Sequence, residues 1–258
     1  MELKQISQAL DTYIRPGTFP LAIKMVTSTK EIPEKTKIPK RDWGLTMPLC
    51  QGISIARRYG WQIAMGDEDM VCPLGSFTLG FLPAKTKLLD GTFDVPFWVK
   101  DQDARAKFTQ SLPQMELGRY THLVATPLHR AAFEPQVIII YGNAAQISRL
   151  VQAVVYQTGK PFASTSLGGF ACGEEITKPM QTNQCQFIIA SGGDRIVAQT
   201  QDHELSFAAP MSQVEMLIEG LEGTHKVGVR YPTPSYLMYT ADFPASYSEL
   251  NDYLRKED

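Results

Sequence analysis

Pro135-Gln136-Val137-Ile138-Ile139-Ile140-Tyr141-Gly142-Asn143-Ala144-Ala145-Gln146 decides how this chain is read. Its first half is a continuous apolar run of strand length, of the kind buried on both faces of a sheet. Its second half opens with Asn143, a residue whose short side chain caps helix N-termini, and the spacing predicts a helix from there to about Tyr156. A buried strand running straight into a capped helix is the grammar of an α/β or α+β domain, with a mixed sheet flanked by helices. Similar strands are expected at Pro20–Val26, Trp61–Met65, Tyr120–Leu128 and Gln184–Ala190. Helices are expected at the N-terminus, where Leu3, Ile6 and Leu10 share a face, at Gln51–Gly60 and at Ser212–Gly220.

Composition narrows the classes of function. The 258 residues carry 25 Lys and Arg against 27 Asp and Glu, a net charge of -2. That balance makes no basic field for nucleic acid. Val137–Ile140 is among the longest apolar runs and is far too short to span a bilayer, so no membrane partner is expected. No export signal opens the chain, and its four cysteines are widely spaced, which points to a reducing cytoplasm rather than to disulfides. The expected organisation is one domain over residues 1–230, followed by a strap over 231–258. That tail holds five Tyr and three Pro before Leu254, and is suited to lie over the domain or to make a homodimer contact.

The cysteines carry the chemistry. Cys50 falls at the start of the helix that Gly60 closes, where the positive end of the helix dipole is expected to lower a thiol pKa. Cys72 is followed by Pro73 and opens the next turn or helix. A weak internal repeat relates residues 20–72 to 135–172, each running strand, helix, short strand, cysteine. It would set Cys72 and Cys172 at equivalent points around one site. Glu174, after the Gly-rich run Gly168–Gly173, is the acid–base candidate. Gly192-Gly193-Asp194-Arg195 reads in two ways: an anion site using the Arg195 fork, or a tight strand-to-strand turn closed by an Asp–Arg pair. Asp67-Glu68-Asp69 reads as a solvated turn and His122 as a hydrogen-bonded core residue, while His129 could face a cleft. Neither a Gly-x-Gly-x-x-Gly fingerprint nor a Walker loop occurs, so no nucleotide cofactor is expected.

Several local motifs together resemble one family. These are Leu49-Cys50-Gln51 with Ala56-Arg57, Cys72-Pro73, Leu79-Gly80-Phe81, Leu117-Gly118-Arg119-Tyr120, Pro127-Leu128, Phe133-Glu134-Pro135, Tyr141–Gln146, Cys172-Gly173-Glu174 and Gly193-Asp194-Arg195. Across residues 5–222 the chain resembles the domain-of-unknown-function 169 family, also called ArCR. The resemblance implies a prokaryotic cytosolic protein with cysteines recurring in its motifs, and Cys50, Cys72 and Cys172 match that pattern. Where relatives carry a further cysteine before Gly-Asp-Arg, this chain has Ala190, with Cys185 five residues earlier in the same strand. Three cysteines are enough to hold a [4Fe-4S] cluster with one iron left open, in an enzyme or redox protein whose Glu174 or Arg195 handles a small-molecule substrate or whose surface meets a redox partner. The other reading is a cofactor-free binding module whose cysteines are small core hydrophobes.

Overall fold

The computed structural model describes residues 1–93, 99–233 and 243–256. Six strands form one sheet: β1 (Leu21–Val26), β2 (Ile63–Gly66), β3 (His122–Pro127), β4 (Val137–Gly142), β5 (Gln186–Ile189) and β6 (Leu205–Pro210). Their spatial order is β2-β3-β1-β4-β6-β5, and every neighbouring pair is antiparallel. Isolated parallel bridges, Lys37 with Ile63 and Met47 with Met70, extend the pairing beyond the strands. The architecture is mixed α and β, in its α+β form.

The helices are α1 (Leu3–Tyr13), α2 (Pro39–Trp43), α3 (Leu49–Tyr59), α4 (Pro73–Thr78), α5 (Thr86–Leu89), α6 (Gln102–Gln110), α7 (Ala144–Thr158), α8 (Lys178–Thr182), α9 (Gly192–Val197), α10 (Met211–Lys226) and α11 (Ala245–Arg255). Their ends follow local chemistry. Asn143 accepts from the Gln146 backbone N–H while the Gln146 side chain accepts from the Asn143 N–H, so α7 begins with both donors satisfied. Gly60 closes α3 in the left-handed conformation at φ 73°.

Successive residues of a strand point to opposite faces. Leu21, Ile23, Val137, Ile139, Tyr141 and Ala208 therefore share one face, and Leu49, Ile53 and Ala56 of α3 cover it. Ala22, Ile138, Ile140, Phe207 and Ala209 face the other way, under α1, α7 and α10. Burial on both faces explains why the strands read as continuous apolar runs although the sheet is antiparallel.

Two expectations change here. The stretches 20–72 and 135–172 are not equivalent in the fold, because α3 and α7 pack on opposite faces and no strand lies between α7 and Cys172. A twofold relating the antiparallel β1 and β4 would run perpendicular to the sheet and keep both helices on one face. The tail of 231–258 contains a helix, α11, on which no residue is buried; residues 234–242 and 257–258 of that tail lie outside the described residues.

Candidate functional site

The site forms where the N-terminal end of α3 meets the ends of β4 and β6. Tyr141 and Ser206 are directly opposed across the β4–β6 pair and lie on the face that α3 covers. Between them they hold Glu175. The Ser206 hydroxyl donates to Glu175 Oε1 at 2.5 Å, and the Tyr141 hydroxyl lies close enough to favour the charged form of the same carboxyl. Glu175 itself comes from Gly173–Thr177, a widened π turn of helix that follows Cys172. Such turns swing a side chain out of α-helical register and recur at functional sites.

Arg57 lies two turns beyond Cys50 on α3, so both point toward the sheet. Its guanidinium stacks 3.9 Å above the Tyr141 ring and forks onto Glu204, with Nη1 to Oε1 at 2.7 Å and Nη2 to Oε2 at 3.0 Å. Arg57 is 1% exposed. A charge this deep is tolerated because it is paired and bidentate.

Cys50 and Cys172 lie within electrostatic reach of Glu175. Cys50 is in the first turn of α3, Cys72 is the N-cap of α4, and Cys172 precedes the π turn. Three distant segments thus bring their cysteines within electrostatic reach of one another: Cys50 and Cys72 both raise the Cys172 thiol, and Cys72 raises Cys50. Burial is the main cause of both shifts, and Asp194 and Glu175 add to them. The Asp194 carboxylate also lies close enough to Cys50 to favour its protonated form. This reverses the expectation that the helix N-terminus would lower the Cys50 pKa, since desolvation and neighbouring acids outweigh the helix dipole. Burial likewise lifts Glu175 from 4.5 to about 7. Among the described residues no three His, Cys, Asp or Glu side chains are grouped to hold a single metal ion. Cys185 stands apart, 6% exposed among the residues under α7 and α10, its thiol pushed up to about 12 by burial.

Gly192–Arg195 is the start of a helix, α9, and not a strand-to-strand turn. Ser191 caps it: its hydroxyl accepts from the Asp194 N–H at 3.1 Å and donates to Asp194 Oδ2, which also accepts from the Ser191 N–H at 3.0 Å. Ser191-x-x-Asp194 is a capping-box spacing visible in the sequence. Arg195 does not pair with Asp194. It donates to the Gln201 carbonyl at 2.6 Å and sits 3.6 Å from Asp202.

Glu174 is 2% exposed, and its carboxyl accepts from the Leu167 N–H at 2.5 Å and the Ser166 hydroxyl at 3.2 Å. Those bonds pin the loop before Cys172. Burial raises its pKa, and the two hydrogen bonds oppose the rise. Of the acidic pair, Glu175 is therefore the one that meets the thiols. Asp69 is fully buried, accepting from the backbone N–H groups of Gly66 and Lys40, so only part of the Asp67–Asp69 turn is solvated. His122 is buried with Nδ1 unpartnered among the described residues, and burial lowers its pKa. Tyr141, Arg57, Asp194 and Ser206 were not legible as site residues, because their roles depend on cross-strand register and helix docking.

No helix among the described residues is long and apolar enough to cross a membrane. No solved structure matches the chain. An uncharacterized protein of Methanocaldococcus jannaschii, MJ0308, is 24% identical over 210 residues, which cover 80% of this chain and 88% of that protein. The family model described as uncharacterised ArCR matches residues 9–220, a span that takes in all three converging cysteines together with Glu175 and Asp194. The chain belongs to the domain-of-unknown-function 169 family.

Proposed function

We propose that Cys50, Cys72 and Cys172 are the protein ligands of a [4Fe-4S] cluster in a redox or substrate-transforming protein of the cytoplasm. One observation carries the reading: three thiols from separate segments lie within electrostatic reach of one another, and the strongest electrostatic neighbour of both Cys50 and Cys172 is an acid, Asp194. Gathering like charge in a buried place is costly unless a cation offsets it. The donor set suits iron and sulfide, being three soft sulfurs with no imidazole among them.

Among the described residues no three such side chains are already grouped to hold a metal ion, so binding would have to draw the thiols together. When bound, a cluster with three protein ligands supplies electron transfer or an open iron that polarises a substrate. The chain's own residues supply the rest. Glu175, balanced near neutrality, can hold or release a proton at its carboxyl beside the thiols, while Tyr141 and Ser206 fix its orientation. Loss of protons from the raised Cys50 and Cys172 thiols must accompany cluster binding, so loading should be favoured by rising pH. Free cysteines throughout agree with a reducing compartment.

The test is anaerobic purification with iron and sulfide analysis. About four iron and four sulfide per chain, a brown colour and loss of both on Cys72→Ser support the proposal. A colourless, iron-free, folded protein that cannot be reconstituted with iron and sulfide would overturn it. That outcome would favour the cofactor-free binding module, in which the raised thiols stay protonated.

A further inference from the structure

A second concavity lies beyond the other end of α3. It has a volume of about 820 Å³ and opens between α1, the turn at 16–20 and the C-terminal end of α3. Lys4, Arg57 and Arg58 contribute three cations to its walls, and Asp11 contributes a carboxylate. Glu204 neutralises from behind, but one carboxylate serves two guanidiniums: its Oε2 accepts from Arg57 and Arg58, each at 3.0 Å. Three cations against two carboxylates leave one positive charge in excess, with His129 counted neutral.

That excess is partly desolvated. The Arg58 side chain is 29% exposed, and its Nη2 is shared between Glu204 Oε2 and the Gln199 carbonyl. A charge-assisted hydrogen bond to a partly shielded guanidinium gains more than one at a fully solvated surface. Beside this charge is an apolar wall. Phe19 and His129 lie with ring centroids 5.3 Å apart at 43°, flanked by Pro16 and Pro20. Phe19 is held in place because its N–H donates to the Arg57 carbonyl at 2.9 Å.

A cationic end next to an aromatic wall selects for a ligand with one negative end and one flat apolar end. We propose that this basin binds a small aromatic carboxylate, its carboxylate met by Arg58 and Lys4 and its ring laid against Phe19 and His129. The basin is separate from the thiols, and Arg57 is the wall between them, touching Thr18 on the basin side at 3.3 Å and the Tyr141 ring on the other. The inference does not depend on a cluster being bound.

Calorimetric titration of the full chain with benzoate, and with benzamide as its uncharged counterpart, tests the assignment. Benzoate should bind at least about tenfold more tightly than benzamide, the worth of one charge-assisted hydrogen bond. Arg58→Gln combined with Lys4→Gln should abolish the difference. Because Arg58 also holds Glu204 and the Gln199 carbonyl, the exposed single replacement Lys4→Glu is the second variant and should weaken benzoate without moving the thermal midpoint. Equal binding of the two compounds, no binding of either, or benzoate binding untouched by Lys4→Glu would overturn the proposal. So would binding of inorganic phosphate with none of benzoate, since the aromatic wall would then play no part.

Discussion

Glu204→Gln isolates the buried charge on which the α3–sheet contact depends. The substitution keeps the side-chain shape and removes the negative charge that Arg57 and Arg58 share. Arg57, 1% exposed, would keep the Thr18 hydroxyl at 3.3 Å and the face of Tyr141, neither of which carries a full charge. Removing one member of a buried pair costs about 3–5 kcal/mol, and the remaining contacts place the expected loss near 3 kcal/mol. In a chain of this size that corresponds to a fall in Tm of about 6–12 °C. Urea unfolding of the metal-free protein at neutral pH, followed by circular dichroism, measures it. Replacing both partners, Arg57→Met with Glu204→Leu, should recover most of the loss, because packed apolar groups substitute well for a buried pair. The pH dependence has a definite sign. Burial pushes Glu204 up, but hydrogen bonds from Arg57 and the Gln201 N–H outweigh it, so its folded pKa lies below 4.5. The stability it contributes is present above 4.5 and is lost as pH falls through the lowered value; the variant should show no such loss. A cost below about 1 kcal/mol for Glu204→Gln would refute the claim that Arg57 is desolvated and dependent on this partner.

Glu175→Gln should behave in the opposite sense. The folded pKa of Glu175 is raised from 4.5 to about 7, so its contribution is full below 4.5 and is lost as pH rises through 7; unfolding of metal-free wild type across that window should reveal a decline of about 3 kcal/mol that the variant lacks. A wild-type stability that stays flat between pH 4.5 and 7 would count against the buried Glu175. Gly220→Ala should destabilise by about 2 kcal/mol, since its Cβ would stand 2.2 Å from the Ala153 carbonyl oxygen and that backbone cannot yield without separating α7 from α10; chemical denaturation reads this directly.

Much of the fold was legible because its elements are defined by local chemistry. Val137–Gly142 had to be a buried strand, Asn143 and Gln146 had to begin a helix, and Gly60 had to end one. β6 and α6 were missed: Leu205–Pro210 carries Ser206 and two alanines instead of a β-branched run, and Gln102–Gln110 is largely polar. Ser191–Arg195 was read as a turn because Gly192-Gly193 outweighed the capping-box spacing in which they sit. For the site, the trio of cysteines was visible as residue types at element boundaries. Glu175 was not separable from Glu174, since two adjacent acids in a sequence give no sign of which faces inward; the π turn and the Ser206–Tyr141 pair decide that.

By itself the sequence determined the element types, the double-sided burial of the central strands, the family and the three cysteines with their helix-start positions. The tertiary structure alone decided that the strands pair antiparallel and that Cys50 and Cys72 come within electrostatic reach of Cys172, as do Asp194 and Glu175. It also decided that the Cys50 and Cys172 thiols are raised and not lowered. The physical reason is range. Capping and strand burial depend on residues a few positions apart, whereas a thiol's protonation depends on how much water is excluded and which charges arrive, and here the acids that raise Cys50, Asp194 and Glu175, come from more than a hundred residues away.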